Sequence, residues 1–482
     1  LPEGSQPVIV LPVLLFTSQE SNFSRKSVFI AASSRSRRHS VHRLVFRLKQ
    51  AARSPTVSPT SESPIIVQKF GGSSVADAEK IKNVARIIVD TYEKGFRTVA
   101  VISAMGDSTD DLVELAGKLC ENPGGREYDA LLATGEMVSV AAVAMAIQTM
   151  GYQAVSMNGG QAGIYTEDLH NRARILEIKT ENILQFLNQG YIVIVTGFQG
   201  INSKGDITTL GRGGSDTSAV ALAGALSAER CDIYTDVRGV YSTDPRVVPE
   251  AIKIDQISYI EMMELARVGA QVLHPRAVEL ARQGNIRLCK RSTFYLEDPG
   301  TMMIGEVNSE RGNAVTGIAC DNSQSRFAVV GCPDQPGVAA EIFGSLASEN
   351  ISVDMIIQSL GKREGTNDIA FTINSTDAHD ALRVLNAVKE KIGAESIKSD
   401  IEIAKVSIVG AGMIDRPGIA AEMFEALSDH GINIKMISTS EIKISCLVDK
   451  NQGNDAVRAI HQKFFPHSNS ADNVMVNEKV GY

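Results

Sequence analysis

Four segments carry residue types suited to handling phosphates and carboxylates. The first is Lys69-Phe70-Gly71-Gly72-Ser73-Ser74. A lysine followed by two glycines sets a full positive charge beside backbone that a ligand can approach closely. A helix predicted just beyond adds unpaired N–H groups that favour an anion. This is a phosphate cradle but not a Walker loop, because Gly-x-x-x-x-Gly-Lys-Ser/Thr is absent. An ordinary strand–turn–helix with a surface lysine has the same form. The second segment runs from Thr208 to Ser218 and contains Gly211-Arg212-Gly213-Gly214-Ser215-Asp216. Arginine between glycines suits bidentate capture of a carboxylate. Asp216 falls at a predicted helix start, where it either serves the helix dipole or pairs with Lys69 and orients it. The third segment is Thr134-Gly135-Glu136. Its carboxylate suits an ammonium group, or simply a first helical turn. The fourth runs from Asp236 through Tyr241 to Arg246. It is turn-rich, with an aromatic for a base and an arginine for phosphates.

The elements that must position these residues follow from periodicity. Ile65-Ile66-Val67 reads as a buried strand ending at Lys69. Val75, Ala78, Ile81, Ala85, Ile88 and Val89 recur at helical spacing. Ser74 with Asp77 has the form of a capping box, and Gly95 is the expected stop. Thr98–Ile102 is a strand leading into Ser103-Ala104-Met105-Gly106, and 128–150 reads as one long apolar helix. Tyr191–Thr196 and Asp232–Tyr234 are further strands, ending at Gly197 and Thr235. A Gly-rich loop followed by an alanine-rich helix covers 207–226. Such alternation predicts an α/β domain with a mostly parallel sheet, whose ligands sit beyond the carboxyl ends of the strands. Lys69, Ser103, Gly197 and Thr235 all fall there.

The whole chain of 482 residues carries a net charge of −8, unevenly distributed. Residues 1–63 hold nine Lys/Arg, three Asp/Glu and thirteen serines, leaving a body of −14. An acidic body argues against a general nucleic-acid role. An Arg- and Ser-rich, acid-poor leader has the composition of an organelle transit peptide, here expected to address a plastid; a disordered tail without an address is the alternative. The six cysteines include no C-x-x-C pair and read as reduced thiols. No apolar run is expected to span a membrane.

Beyond 310 lies an internal repeat. Gly331-x-x-Asp334-x-Pro336-Gly337-x-Ala339-Ala340-Glu341-x-Phe343 recurs as Gly412-x-x-Asp415-x-Pro417-Gly418-x-Ala420-Ala421-Glu422-x-Phe424, a constant offset of 81 residues. Two copies are too few for a solenoid; paired β-α-β-β-α-β units fit.

Taken in order, the Lys69, Ser103, Gly211–Asp216 and Tyr241–Arg246 motifs resemble those of aspartate kinases of the amino-acid-kinase superfamily. The repeats resemble the ACT regulatory domains of the same enzymes. The resemblance covers about 64–482. It implies a three-layer catalytic domain over 64–310 with a mostly parallel sheet, then two ferredoxin-like ACT domains, 311–398 and 399–482. The implied reaction is ATP-dependent phosphorylation of the L-aspartate side chain, the first step towards lysine, threonine, methionine and isoleucine, with Mg²⁺ arriving on ATP. By position, Lys69, Phe70, Gly71, Gly72 and Ser215 would hold the phosphates, with Ser103 beside them and Asp216 orienting the lysine. Thr109, Glu136, Arg212, Gly213, Gly214 and Ser215 would hold aspartate. Thr235, Asp236, Tyr241, Arg246 and Gln271 would line the nucleotide. Gln271 is a departure, since family members usually have Gly-x-Lys there; a second cation is then missing unless Arg246 or Arg276 substitutes.

The same resemblance puts effector contacts at Asp334, Ser352, Val353, Asp354 and Gln358, and at Asn433, Ile434, Thr439, Ser440 and Glu441. Lysine, threonine or both are the implied effectors, and a homodimer through the ACT-like domains the implied assembly. A purely structural role for Asp334 and Asp415, fixing their turns, is the alternative. Other amino-acid kinases, for glutamate or acetylglutamate, and a sensor that has lost catalysis are the competing functions.

The chemistry agrees with the residues present. The side-chain carboxyl of aspartate ordinarily titrates near about 3.9, so it is already ionised at neutral pH and needs no general base. The obstacle is repulsion between two anions, so positioning and charge stabilisation are what a protein must supply.

Overall fold

The computed structural model describes residues 59–270, 272–305, 313–414 and 416–466. The expectations for the basic leader, Gln271 and Asp415 therefore fall outside the described residues.

The part before residue 305 is built on an eight-stranded sheet. Its order is Gln256–Ser258, Thr301–Ile304, Leu288–Ser292, Arg230–Thr235, Ile65–Phe70, Arg97–Ile102, Ile192–Thr196 and Ala154–Met157. Every neighbouring pair is parallel except Leu288–Ser292 with Thr301–Ile304. The central strands are apolar throughout because helices cover both faces. On one face Val67, Val99, Val101, Val195 and Ile233 pack against Ala219, Val220 and Ala223 of the helix Gly214–Ala225, and Leu288 joins them with Ala277 and Val278 of the helix Pro275–Gln283. On the other, Phe70, Ala100, Ile102, Ile194 and Tyr234 meet Val84 and Ile88 of the helix Ala78–Glu93 and Val140, Val143 and Ile147 of the helix Thr134–Thr149. A second sheet of Ile175–Ile178, Ile164–Thr166, Gln199–Ile201 and Ile207–Thr209 carries the chain into the Gly211–Gly214 turn.

Two local expectations change. The helix after the cradle starts at Ala78, not after Ser74; Gly72–Val75 is a 3-10 turn. Ser74 is fully buried and its hydroxyl meets that of Thr293 at 2.7 Å. Asp77 is the cap, accepting from the N–H groups of Glu79 and Lys80. Gly95, at φ 91°, follows the helix end as expected. The long helix over 128–150 is instead two, Gly125–Leu132 and Thr134–Thr149, with a turn at Ala133. Together they form one stretch long and apolar enough to cross a membrane, contrary to the sequence reading, yet half of its most apolar window is packed inside the protein.

Two four-stranded antiparallel sheets make up the part from 313 to 466. Val353–Leu360, Thr366–Asn374, Gln324–Pro333 and Ser396–Asp400 form the first, with helices Val338–Ser348 and Ala378–Ile392. This is the expected β-α-β-β-α-β unit. The second has Ile403–Val409, Lys443–Asp449 and Met436–Ser440, but its fourth strand is Gly317–Asp321, which precedes the first unit in the chain. A boundary drawn at 311–398 thus assigns that strand to the wrong sheet. Burial explains the exchange: Ile318 completes the core of the second unit with Val406, Ile408 and Ile460. Met355, Ile403, Met436 and Leu447 fill the seam between the two sheets.

Candidate active site

Lys69 stands one residue from the end of the central strand Ile65–Phe70, paired on either side with Val101 and Ile233. The sheet lifts it towards the N-terminus of the helix Gly214–Ala225, and its Nζ lies 2.6 Å from Asp216 Oδ1. Both side chains are largely buried, at 11% and 13% exposure, so the pair is only weakly screened by water. It is an ion pair without hydrogen-bond alignment, since Asp216 Oδ1 makes no hydrogen bond. The expected Lys69–Asp216 coupling is present in the fold, and the bare helix-cap alternative for Asp216 is not sufficient.

The glycines around it are spatial necessities. A Cβ on Gly72 would lie 2.8 Å from the Ala104 carbonyl oxygen, so the cradle and the loop after Ile102 can touch only as bare backbone. Gly213, at φ 69°, caps the helix; a Cβ there would meet the His274 ring at 2.2 Å. Phe70 does not fit its expected role through its side chain: it is fully buried and stacks on Tyr234 at 4.8 Å. Ser215 packs under Gly197, where a Cβ would come within 2.5 Å of its Oγ.

Glu136 is 3% exposed in the first turn of the helix Thr134–Thr149. Its Oε1 accepts the Ala104 N–H at 3.3 Å, whereas Oε2 is buried without a partner. Burial pushes its pKa up to about 7. A buried carboxylate oxygen with no donor is costly in the empty protein and suits a cationic ligand group. A cavity of about 280 Å³ opens alongside, lined by Met105, Ser108, Asp111, Leu112, Thr134, Gly135 and Val138. Thr109 lies in the first turn of the helix Ser108–Leu119. Arg212 is exposed on the turn between Gly211 and Gly213. Ser103 and, with exposed Asp236, Thr235 sit at the ends of the two strands that flank Ile65–Phe70, as expected. Tyr241 is half-buried in the short pairing with Lys253.

The two candidates for a second cation differ in what holds them. Arg246 is 84% exposed and held by Asp244 at 2.8 Å. Arg276 spends its guanidinium on the carbonyls of Ala173 and Leu210, tying its helix to the Gly211 turn. Lys290, which periodicity alone did not single out, is 2% exposed on the strand Leu288–Ser292. A lysine inside an otherwise buried strand segment was the available signal.

In the part from 313 to 466, Asp334 is exposed but engaged: its N–H donates to the Gly365 carbonyl and its Oδ1 accepts from Asn367 at 2.8 Å. Ser352 and Gln358 are exposed, and Val353 and Ile434 half-buried. Asp354 is not free for an effector as expected, because buried Lys405 of the second sheet binds it. Asn433, Thr439, Ser440 and Glu441 are exposed around the strand Met436–Ser440.

The amino acid kinase family model matches residues 64–289, and an ACT domain model matches 327–388 and 406–464. An aspartokinase of Bacillus sp. (strain MGA3) is 51% identical over 400 residues, 83% of this chain and 97% of that protein. Aspartokinase 2 of Bacillus subtilis is 48% identical, again over 83% of this chain and 97% of that protein. Among solved structures, E. coli aspartokinase III in complex with aspartate and ADP superposes with a TM-score of 0.71 at 29% identity, over 83% of this chain and all of that one. The same enzyme in complex with lysine and aspartate gives 0.64 at 28%, over 83% and 99%. The curated relatives are bacterial, including those of Mycolicibacterium smegmatis and Thermus thermophilus, and this overturns the expected plastid destination.

Proposed function

This chain belongs to the amino acid kinase family as one of its aspartokinases, and from that premise we propose how its residues divide the work of phosphorylating the aspartate side chain with ATP. The observation that carries the reading is the buried Lys69–Asp216 pair at the mouth of a helix N-terminus. Lys69 and the backbone of Gly71 and Gly72 meet the γ-phosphate. Asp216 holds the lysine still. Arg212 takes the α-carboxylate of aspartate, and Glu136 Oε2 its ammonium. The β-carboxylate, already ionised, attacks phosphorus in line, and ADP leaves with the electron pair of the broken P–O bond. No proton moves. Catalysis then rests on positioning and on charges fixed before the reaction.

Mg²⁺, bound with the nucleotide, would supply positive charge at its phosphates. The residues fit an ion held mainly by phosphates: among those described, no three His, Cys, Asp or Glu converge, and Asp236 is the exposed carboxylate at the neighbouring strand end. Thr235, Asp236 and Tyr241 line the nucleotide in this reading.

The product feeds lysine, threonine, methionine and isoleucine synthesis, and lysine, threonine or both act back through the ACT domains. A homodimer through these domains is supported by the edge strand Val353–Leu360, which leaves Ile356 and Leu360 exposed. The test of the reaction is hydroxylamine trapping: aspartyl hydroxamate should form only with both ATP and L-aspartate. Hydrolysis of ATP without trapped product would overturn the assignment.

A further inference from the structure

Three adjacent strands carry Lys69, Ile233 and Lys290 at one level. Ile233 pairs with Lys69 on one side and with Lys290 on the other. In-register residues of a parallel sheet point to the same face, so both lysines rise on the face covered by the helix Gly214–Ala225. Two strand spacings separate their backbones, roughly 10 Å, a gap that two four-carbon stems can close.

Lys290 has no structural reason to be charged there. Its Nζ donates to the Val272 carbonyl at 2.5 Å. Among the described residues no carboxylate lies within ion-pair distance of it. A fully buried lysine with one neutral acceptor is costly unless a ligand's negative charge completes it. The groups facing it are Lys69 from the next strand but one, Asp216 from the helix start, and Asp236 from the strand end. Buried Cys231, beneath Asp216 and Lys69, is kept a neutral thiol by desolvation, and His274 has its pKa lowered by burial. The two lysines are thus matched only by Asp216, which Lys69 already holds, and by Asp236, which is exposed.

We propose that Lys290 is a second phosphate-binding cation of this enzyme, working with Lys69 from the next strand but one. It would compensate for glutamine at 271, the residue before the carbonyl that Lys290 holds. As the β-carboxylate oxygen of aspartate bonds to the γ-phosphorus and the bond to the β–γ bridging oxygen breaks, charge accumulates on the departing ADP. Lys290 meets that charge without giving up its proton. Desolvation brings its pKa down to about 8. It is therefore charged at pH 7 and loses its charge as pH rises through that value.

The inference rests on the Lys69 cradle reading, and the test separates the two. Lys290→Gln keeps a donor for the Val272 carbonyl but removes the charge. Lys290→Met removes both and suits the apolar face. Expected for both is a roughly 10- to 100-fold fall in kcat with KM for aspartate within about twofold, by analogy with loss of other electrostatic stabilisers. Activity of the unaltered enzyme should fall as pH rises through about 8, and both variants should lack that limb. A melting temperature at or above that of the unaltered enzyme would show that Lys290→Met folds. Near-normal kcat in Lys290→Gln, with the alkaline limb intact, would overturn the proposal and leave Lys290 as a structural donor. Lys69→Ala, assayed in parallel, reports on the cradle itself: if it loses activity while Lys290→Gln does not, only the second cation is refuted.

Discussion

Glu261 accepts the backbone N–H of Ala411 at 3.0 Å, joining the catalytic domain to the turn of the second ACT unit. The same Oε1 accepts the Thr316 hydroxyl at 2.6 Å, while Oε2 closes the capping box with Ser258. The helix it starts, Tyr259–Arg267, leads by way of Gly269 towards His274, whose ring packs on Gly213. Glu261 thus ties the turn of the second ACT unit to the helix Tyr259–Arg267 of the kinase domain. Glu261→Gln should preserve uninhibited kcat within about twofold and raise the half-inhibitory concentration of lysine or threonine roughly 5- to 150-fold, the usual range of allosteric coupling. Unchanged inhibition would show that this contact holds the domains together without coupling them.

Removing the Lys69 charge leaves Asp216 buried and unpaired and strips the cradle of its cation. Lys69→Ala should lower kcat about 100-fold or more. Steady-state rates at saturating ATP and aspartate decide it, and a near-normal kcat counts against the cradle.

Arg212 is exposed, so its replacement should not disturb folding. Arg212→Lys keeps the charge but loses the bidentate fork. KM for aspartate should rise far more than KM for ATP, and equal changes would remove Arg212 from the aspartate site.

Glu136 yields a signed pH dependence. Burial raises its pKa from 4.5 to about 7 in the folded protein. The native state thus holds an extra proton between those values, and stability falls as pH rises through this window. Glu136→Gln should flatten that dependence in denaturation measured across the same window. An ammonium ligand prefers the ionised carboxylate, so KM for aspartate should fall as pH rises through about 7 in the unaltered enzyme and stay flat in Glu136→Gln. Parallel profiles for the two proteins would refute the role.

Among the regulatory positions, Gln358 is exposed on an edge strand, whereas Asp354 is bound by Lys405. Gln358→Ala should weaken feedback inhibition roughly 5-fold or more with kcat unchanged, for loss of one polar contact. Asp354→Asn should instead loosen the seam between the two ACT sheets and lower the melting temperature. The opposite pattern would exchange their roles.

Local order was readable wherever a short segment dictates its own conformation. Apolar runs such as Ile65–Val67 and Tyr191–Thr196 announced buried strands, because only parallel strands covered on both faces tolerate them. Glycine at 71, 72, 211 and 213 marked close backbone approach, and the matched Asp-x-Pro-Gly turns marked the repeat. The reaction class came from the resemblance these segments carry to aspartate kinases, and their lysine, glycines, arginine and aspartate suit phosphoryl transfer to a carboxylate.

Long-range pairing was not readable. Helix caps depended on which of Ser74 and Asp77 the fold buried; Ser74 went to Thr293, leaving Asp77 to cap. The strand Gly317–Asp321 crossed to the second sheet because a vacant edge and an apolar core were offered there, and no local pattern records an edge. Lys290 became a neighbour of the cradle only when Ile233 brought two strands distant in sequence into one register. Sequence by itself determined the residue types, the turns and thus the chemistry; tertiary structure alone decided which charges share a buried space, because Coulomb energy depends on separation and dielectric, and both are set by the assembled sheet.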